Sequence, residues 1–232
     1  MLLYSLIINS LLGITGFLAA YFRKVHLGMF TPFRTRILAL FGLLMLSGLL
    51  FLFWLGLITM VMAEQLTVGL YSIACGLFLG GSLKNVLINK QQGAVVYLYS
   101  SLLTTVIPKA LAVIIIAFGI YRTDLLLDHP VTPIGLSSGI SLVAFGLYGW
   151  SLKFVPEFCR KGILFLDDYI SREDVLSYSW HQESVIQIEY YNSDEELCEL
   201  RTFIPPDDKN RITAVINKYL LDKFSDSEEK EE

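Results

Sequence analysis

Five long apolar runs, separated by short polar segments, constrain this chain more than any other feature of its sequence. They cover approximately residues 2–22, 37–63, 66–83, 94–121 and 134–152. The hydrocarbon core of a bilayer is about 30 Å thick and requires roughly 20 apolar residues per helix. The pattern therefore predicts that residues 1–153 form a polytopic α-helical membrane bundle of five spans, with the lipid bilayer as its surroundings.

The basic residues of the short connecting segments alternate along the chain. The first, third and last of these segments are basic and contain Arg23, Lys24, Arg34, Arg36, Lys84, Lys90, Lys153, Arg160 and Lys161. The second and fourth segments, around residues 63–65 and 122–133, contain one basic residue between them. Because basic loops stay in the cytosol, this alternation predicts an N-terminus outside and a C-terminus in the cytosol. An even number of spans would break the alternation.

The charge divides the chain into two regions. Residues 1–150 have a net charge of +5 and residues 151–232 a net charge of −9, although 54% of the whole chain is hydrophobic. An acidic polar region argues against a nucleic-acid partner. The three histidines are not at metal-ligand spacing, and no nucleophile, phosphate-loop or zinc motif is present. We therefore expect no metal, no cofactor and no enzymatic activity.

Small residues recur at helical spacing in two of the predicted spans. The third span contains Gly69, Gly76 and Gly80, and the fifth contains Gly135, Gly139 and Gly146. Helices in lipid associate through close backbone approach, so these glycines predict packing surfaces. The alternative is that they reflect the general abundance of glycine in membrane helices. The pattern does not say whether the partner helix belongs to the same chain or to another copy, so an oligomer stays open.

A lysine stands near the middle of the fourth apolar run. Lys109 follows Pro108, which leaves the carbonyl of Thr104 without its helical donor. Neutral polar groups are available from Thr105 in the same span and from Ser138 in the fifth. We expect Lys109 to face the bundle interior and to form a polar site suited to an anionic or carbonyl-bearing ligand, as in a small transporter or permease-like subunit. The alternative is a lysine that faces a water defect and has no further role.

The pattern changes to short strands after residue 161. Strands are predicted at 162–167, 175–180, 185–191 and 197–204, and an apolar stripe predicts a helix over about 212–224. The sequence thus predicts a small α+β cytosolic domain, residues 161–224, with four antiparallel strands and one helix. An acidic tail, residues 225–232, would follow it. The predicted core consists of Ile163, Phe165, Leu176, Tyr178, Trp180, Ile186, Ile188, Leu200, Ile204, Val215, Ile216 and Tyr219.

This region resembles a known kind of domain. The segments KGILFLDDYISREDVLSYSW and FIPPDDKNRITAVINKYL, within residues 161–220, are similar to pleckstrin-homology-like domains attached to membrane helices in uncharacterised bacterial proteins. The resemblance implies the fold and a bacterial cytoplasmic membrane, but no catalytic residue. No basic cluster lies between the first two strands, so recognition of phosphoinositide-type lipids is not expected.

Two functions are consistent with these features. The first is a non-enzymatic integral membrane protein whose cytosolic domain mediates protein interaction, assembly or regulation, with a protein partner on the cytosolic side. The alternative is a small transporter or permease-like subunit that uses the polar site around Lys109.

Overall fold

A computed structural model of the chain describes residues 2–22, 40, 44, 47–48, 51–99, 101–126, 130–181, 183–191 and 196–228. The chain divides into two compact units. A helical unit comprises Met1–Val86 and Val106–Leu152, and a strand-rich unit comprises Leu87–Thr105 and Lys153–Glu232. The strand-rich unit is therefore built from two separate stretches of sequence, whereas the sequence predicted one continuous domain over residues 161–224.

Five α-helices have defined bounds. They are α1 (Leu2–Tyr21), α2 (Met60–Gln91), α3 (Ile107–Arg122), α4 (Pro133–Ser151) and α5 (Lys209–Glu228). Within the described residues, three helical segments are long and apolar enough to cross a membrane, namely Met60–Gln91, Leu102–Arg122 and Pro133–Ser151. A shorter apolar helix covers Ser5–Tyr21. The three longer segments have the length and composition of membrane-spanning helices.

The boundary predicted between the second and third spans differs from the structure. Much of the predicted second span, residues 37–63, lies outside the described residues. A turn follows its described helical part at Gly56, which has a positive φ of 71° that favours glycine. The segment 63–65, predicted as a loop, lies inside α2. Alanine, glutamate and glutamine are strong helix formers, so this short polar interruption does not end the helix.

The predicted fourth span, residues 94–121, is not one helix. Its first part is strand β1 (Val95–Leu98), followed by a π-helix at Leu102–Val106 and then by α3. Two valines and a tyrosine favour an extended chain, and Gly93 supplies a positive φ of 80° just before them. Pro108 lies in the first turn of α3. It therefore begins that helix, where its missing N–H costs little.

The strand-rich unit contains two antiparallel sheets. In addition to β1, its strands are β2 (Lys153–Cys159), β3 (Gly162–Leu166), β4 (Asp168–Ser171), β5 (Val175–His181), β6 (Val185–Tyr191) and β7 (Leu197–Phe203). One sheet has the order β1-β2-β3-β4 and the other the order β5-β6-β7. The four predicted strands correspond to β3, β5, β6 and β7. The remaining three strands, β1, β2 and β4, were not predicted.

The buried residues of this unit form one apolar cluster between the sheets and α5. Its members are Tyr97, Phe158, Ile163, Ile170, Val175, Ile186, Ile188, Leu200, Ile204, Ile212, Ile216 and Tyr219. Seven of the predicted core residues are among them, and Phe165, Tyr178, Trp180 and Val215 pack against the cluster. Val175 was predicted to lie opposite Leu176, yet it is fully buried. The β5–β6 register shifts between Val175 and Ser177, and this irregularity changes which face each residue occupies.

The C-terminal end of the chain also differs from the prediction. Helix α5 continues to Glu228, so the first residues of the predicted acidic tail, 225–232, are helical. Residues 229–232 lie outside the described part of the chain.

Candidate functional site

Strand β1 is built into the strand-rich unit through its tyrosine. In the antiparallel pairing of β1 with β2, Tyr97 lies opposite Phe158. The two ring centroids are 6.0 Å apart in an edge-to-face arrangement, and Tyr97 is only 5% exposed. Aromatic pairs of this geometry stabilise a core beyond the area that they bury. A segment between two apolar helices thus supplies part of this unit's core.

The beginning of α5 holds β1 from the other side. The Tyr97 hydroxyl donates a 2.9 Å hydrogen bond to Asp208 Oδ2. The Arg211 guanidinium donates a 3.0 Å bond to the carbonyl oxygen of Val96 and lies 5.7 Å from the centroid of the Tyr97 ring. Burial, followed by the hydrogen bond to Asp208, raises the pKa of the Tyr97 phenol. We call Tyr97, Asp208 and Arg211 the strand clamp.

A second tyrosine fixes the turn between β2 and β3. The Tyr219 hydroxyl, on α5, donates to the carbonyl oxygen of Cys159 and lies 3.4 Å from that of Gly162. Burial raises the pKa of the Tyr219 phenol. The sequence predicted Tyr219 only as a core residue. Its polar role was not visible because the accepting groups are backbone carbonyls about 60 positions away.

The face of the β5-β6-β7 sheet that points away from the core carries exposed apolar groups. Tyr191, Leu197 and Phe203 lie on this face, and Leu197 is directly opposite Tyr191. Leu197 is 62% exposed and Phe203 51%. Both residues lie on β7, which is an edge strand of its sheet. We call these three residues the outer sheet face. Exposed apolar groups on an edge strand are suited to pairing with another polypeptide.

Lys109 lies at a different position from the one predicted. Its side chain is exposed, and its Nζ atom is 5.9 Å from the centroid of the Trp150 ring. Since α3 begins at Ile107, Lys109 is in its first turn and not at the centre of a span from residue 94 to 121. Trp150 is at the last turn of α4. Lys109 is the eighth of 21 residues in the apolar segment Leu102–Arg122, and a cation over the face of an indole ring is a favourable contact.

Of the other residues of the predicted polar site, Ser138 is not beside Lys109. Thr104 and Thr105 belong to the π-helix, where the Thr104 hydroxyl lies 3.2 Å from the carbonyl oxygen of Ser101. The Ser138 hydroxyl donates to the carbonyl oxygen of Gly135 in its own helix at 3.1 Å. Ser138 and Trp150 are twelve positions apart on α4, which corresponds to about 18 Å along the axis. The lysine and this serine therefore belong to opposite ends of the helical unit.

The glycines of α2 lie against α1. A side chain at Gly76 would collide with the carbonyl oxygen of Gly13, and one at Gly80 with that of Phe17. A Cβ atom at Gly69 would be 3.2 Å from a methyl carbon of Leu12. Because residue numbers rise together along both helices at these contacts, α1 and α2 run parallel. Their backbones approach as closely as small residues allow.

The glycines of α4 lie mainly against α3. A Cβ atom at Gly139 would be 2.7 Å from the carbonyl oxygen of Gly119, and one at Gly146 would be 2.9 Å from that of Ala112. Gly135 is at the start of α4, where its backbone N–H donates to the Thr132 hydroxyl at 3.0 Å. It therefore belongs to the helix cap. At the contacts of Gly139 and Gly146, residue numbers rise along α4 while they fall along α3. The two helices are therefore antiparallel.

Sequence reasoning missed a buried polar contact between α2 and α4. The Asn85 amide nitrogen donates to the Ser151 hydroxyl at 3.1 Å, and both side chains are buried. Phe78 also packs against Phe145, with ring centroids 4.9 Å apart. Asn85 lies in the segment between the predicted third and fourth spans, between Lys84 and Lys90, where the sequence predicts a basic loop. An amide within a continuous helical pattern is the signal that could have identified this contact.

The C-terminal part of the chain matches a family model. A family described as a domain of unknown function (DUF5673) matches residues 153–221. The matched segment begins with β2 and ends within α5, and it excludes β1. No curated protein and no solved structure matches the chain.

Proposed function

We propose that this chain is a non-enzymatic, multi-pass protein of the bacterial cytoplasmic membrane whose C-terminal domain binds a protein partner in assembly or regulation. The outer sheet face is the observation that carries this proposal. Tyr191 and Leu197 form an exposed cross-strand pair at one end of the edge strand β7. Phe203 lies at the other end, beyond the Glu199–Arg201 ion pair, and its ring packs against Tyr99. Apolar groups arranged in this way are characteristic of contact sites for proteins.

The domain is proposed to be pleckstrin-homology-like. Its two antiparallel sheets, of four and three strands, and its C-terminal helix support the resemblance noted in the sequence. The buried faces of α5, around Ile212, Ile216 and Tyr219, join the apolar cluster of both sheets. We assign no lipid headgroup to this domain, because the sequence of the domain is acidic overall.

The directions of the helices support five spans with the N-terminus outside and the C-terminus in the cytosol. Helix α1 is parallel to α2, which is the direction expected if one further span lies between them in the sequence. The second apolar run, residues 37–63, has the length for such a span. Helices α2 and α4 are also parallel, with α3 antiparallel between them in sequence. The basic residues near the ends of α2 and α4 then face the cytosol.

The chain connections suggest how partner binding could affect the membrane helices. Strand β1 is joined to α2 by three residues and to α3 through the π-helix. π-Helical segments are rare and frequently found at functional sites. A partner that stabilises the domain would therefore also restrain the segment from which α3 begins.

Affinity capture of the full-length protein in a mild detergent tests the proposal. A double variant with Leu197→Glu and Phe203→Glu places charges on the outer sheet face. Val95→Glu is the matched control, because it places a charge on another half-exposed strand residue. We expect a defined protein to be captured by the native chain and by the control. The protein that carries both Leu197→Glu and Phe203→Glu should capture at least tenfold less of this partner. Equal capture by all three proteins would contradict the proposed binding face.

A further inference from the structure

The helical unit contains a cavity of about 740 Å³. It is lined by α1 between Ser5 and Phe17, by α2 between Gln65 and Leu79, and by residues 131–140 at the beginning of α4. Ligand sites in proteins typically occupy about 300–1,000 Å³. The cavity is therefore large enough for a small molecule or for a lipid chain. It does not include Lys109.

Polar groups lie at one end of this cavity. The Ser5 hydroxyl donates to Gln65 Oε1, and Asn9 Nδ2 donates to Ser5 Oγ at 3.3 Å. These bonds place the N-terminal parts of α1 and α2 at the same height along the helix axes. The Asn85–Ser151 contact fixes how far α2 and α4 are shifted relative to each other along their axes. Because the two helices are parallel, Thr132 lies at about the same height along these axes as Gln65. Asn9, Gln65 and Thr132 therefore share one end.

The rest of the lining is mainly aliphatic and aromatic, and its further polar members are Ser10, Tyr71, Ser72 and Ser137. Ile14, Phe17, Leu79 and Ile140 line the part that is farthest from the polar end. Twelve residues separate Ser5 from Phe17, which corresponds to about 18 Å along α1. This length is comparable to one leaflet of a hydrocarbon core that is about 30 Å thick. The cavity thus has the depth of a single extended acyl chain.

The chemistry of the lining selects among lipids. None of the described side chains that line the cavity carries a charge. A charged headgroup held among these groups would lose hydration without gaining an ionic partner. The two hydrogen bonds that join Asn9, Ser5 and Gln65 involve neither Asn9 Oδ1 nor Gln65 Nε2. These atoms offer one acceptor and one donor, which is what a hydroxyl or ester headgroup requires.

We propose that this cavity binds a single-chain lipid with an uncharged headgroup, of the monoacylglycerol or fatty-alcohol class. The headgroup contacts Asn9 and Gln65, and the acyl chain extends toward Phe17 and Leu79. The site is independent of the outer sheet face, so either proposal can fail without the other.

Cys75 provides a reporter because it lines the cavity, whereas Cys198 belongs to the strand-rich unit. The full-length protein in phosphatidylcholine nanodiscs is treated with N-ethylmaleimide, and modification of each cysteine is followed by peptide mass spectrometry. Adding 1-monooleoylglycerol should slow modification of Cys75 at least fivefold and leave Cys198 unchanged. Unchanged modification of Cys75 would overturn the proposal. Equal protection by oleate would overturn the assignment of an uncharged headgroup.

Substitutions in α4 separate occupancy from general effects of added lipid. Ile140→Trp fills the apolar end of the cavity, while Leu147→Trp changes a similarly exposed aliphatic residue outside the lining. The first variant should abolish protection by monooleoylglycerol, and the second should retain it. Gln65→Leu should raise the lipid concentration for half-protection by about three- to tenfold, the usual loss for one hydrogen bond. Protection that instead depends on protein concentration without added lipid would identify a second copy as the occupant and overturn the lipid site.

Discussion

Tyr97 and Asp208 are 111 positions apart in the chain, yet the phenol of one donates a 2.9 Å hydrogen bond to the carboxylate of the other. Tyr97 lies between two apolar helices, and Asp208 directly precedes α5. The strand-rich unit is consequently closed by a segment that comes before α3 and α4 in sequence. We therefore expect its folding to depend on residues that a C-terminal fragment does not contain.

Removing the Tyr97 hydroxyl should weaken this closure. Tyr97→Phe retains the ring but leaves Asp208 without its donor, so we expect the local free energy of opening to fall by about 1.5 kcal/mol. Hydrogen exchange measured by mass spectrometry on peptides from β1 and β2 reports this change. Tyr191→Phe, at an exposed position of the same unit, should change exchange by less than about 0.5 kcal/mol. Identical exchange in native and Tyr97→Phe proteins would show that the bond contributes nothing.

Fragments of the chain should differ in stability according to whether they contain β1. A fragment of residues 161–224 lacks β1 and β2, and we expect it not to unfold cooperatively. A fragment of residues 153–228 lacks β1 alone and loses the buried Tyr97 side chain. Loss of a buried aromatic group typically costs about 3–5 kcal/mol. Linking residues 94–101 to this fragment through a flexible connection should restore a cooperative transition, as monitored by circular dichroism. A stable 161–224 fragment would contradict this dependence.

The predicted strands that the structure contains have a clear period-two pattern. Leu200 and Ile204 are predicted core residues, and both are buried in the structure. Strand β1 was missed because its valines and leucine continue an apolar run, and length alone made that run a span. A cluster of β-branched and aromatic residues after Gly93 was the signal for a strand.

The candidate sites were less accessible to sequence reasoning. The strand clamp joins Tyr97 to Asp208 and Arg211 across more than a hundred positions, and no local pattern indicates such a pairing. The prediction for Lys109 depended on where its helix begins. Moving the start of the α-helix from residue 94 to Ile107 places the lysine in the first turn of α3. In the apolar segment Leu102–Arg122 it is the eighth of 21 residues. Helix boundaries are the least certain part of a sequence-based prediction.

Two glycines of α4 permit a matched test of helix packing. A Cβ atom at Gly146 would lie 2.5 Å from Ile116 Cγ1, whereas one at Gly149 would meet Ala112 Cβ at 4.0 Å. Gly146→Ala should therefore destabilise the helical unit by about 1–3 kcal/mol. Gly149→Ala should be neutral or stabilising by up to about 1 kcal/mol, since alanine favours helix. Thermal unfolding in detergent compares the two, and equal effects would argue against close packing at Gly146.

The buried tyrosines predict a loss of stability at alkaline pH. Burial raises the pKa of Tyr97 and Tyr219, and burial together with the nearby Asp168 raises that of Tyr190 to about 12. An unfolded tyrosine has a pKa of about 10. The stabilisation is therefore complete below pH 10 and decreases as the pH rises from about 10 toward 12, because the unfolded state releases its protons first. Urea unfolding between pH 8 and 11 should show this decline, and Tyr219→Phe should make it less steep. An unchanged slope would exclude Tyr219 as a contributor.

The final prediction concerns the contact between Lys109 and Trp150. If the ammonium interacts with the indole ring at 5.9 Å, the two side chains should be energetically coupled. Cation–π pairs contribute about 0.5–2 kcal/mol, according to their solvent exposure. A double-mutant cycle with Lys109→Met and Trp150→Leu, measured by thermal unfolding in lipid nanodiscs, isolates that coupling from the separate effect of each substitution. Lys109→Arg serves as a control because it retains the positive charge and the capacity to stack on the ring.

The cycle also decides between two environments for this lysine. A lysine held at the interface by Trp150 gives a coupling of at least about 0.5 kcal/mol and a Lys109→Met variant that is less stable than the native protein. A lysine alone in hydrocarbon gives no coupling, and Lys109→Met is then more stable because a charge that costs about 2.5–3.5 kcal/mol has been removed. The position of Lys109 in the first turn of α3, beside the last turn of α4, favours the first outcome. A clear gain in stability in Lys109→Met would show that the tryptophan does not compensate the charge.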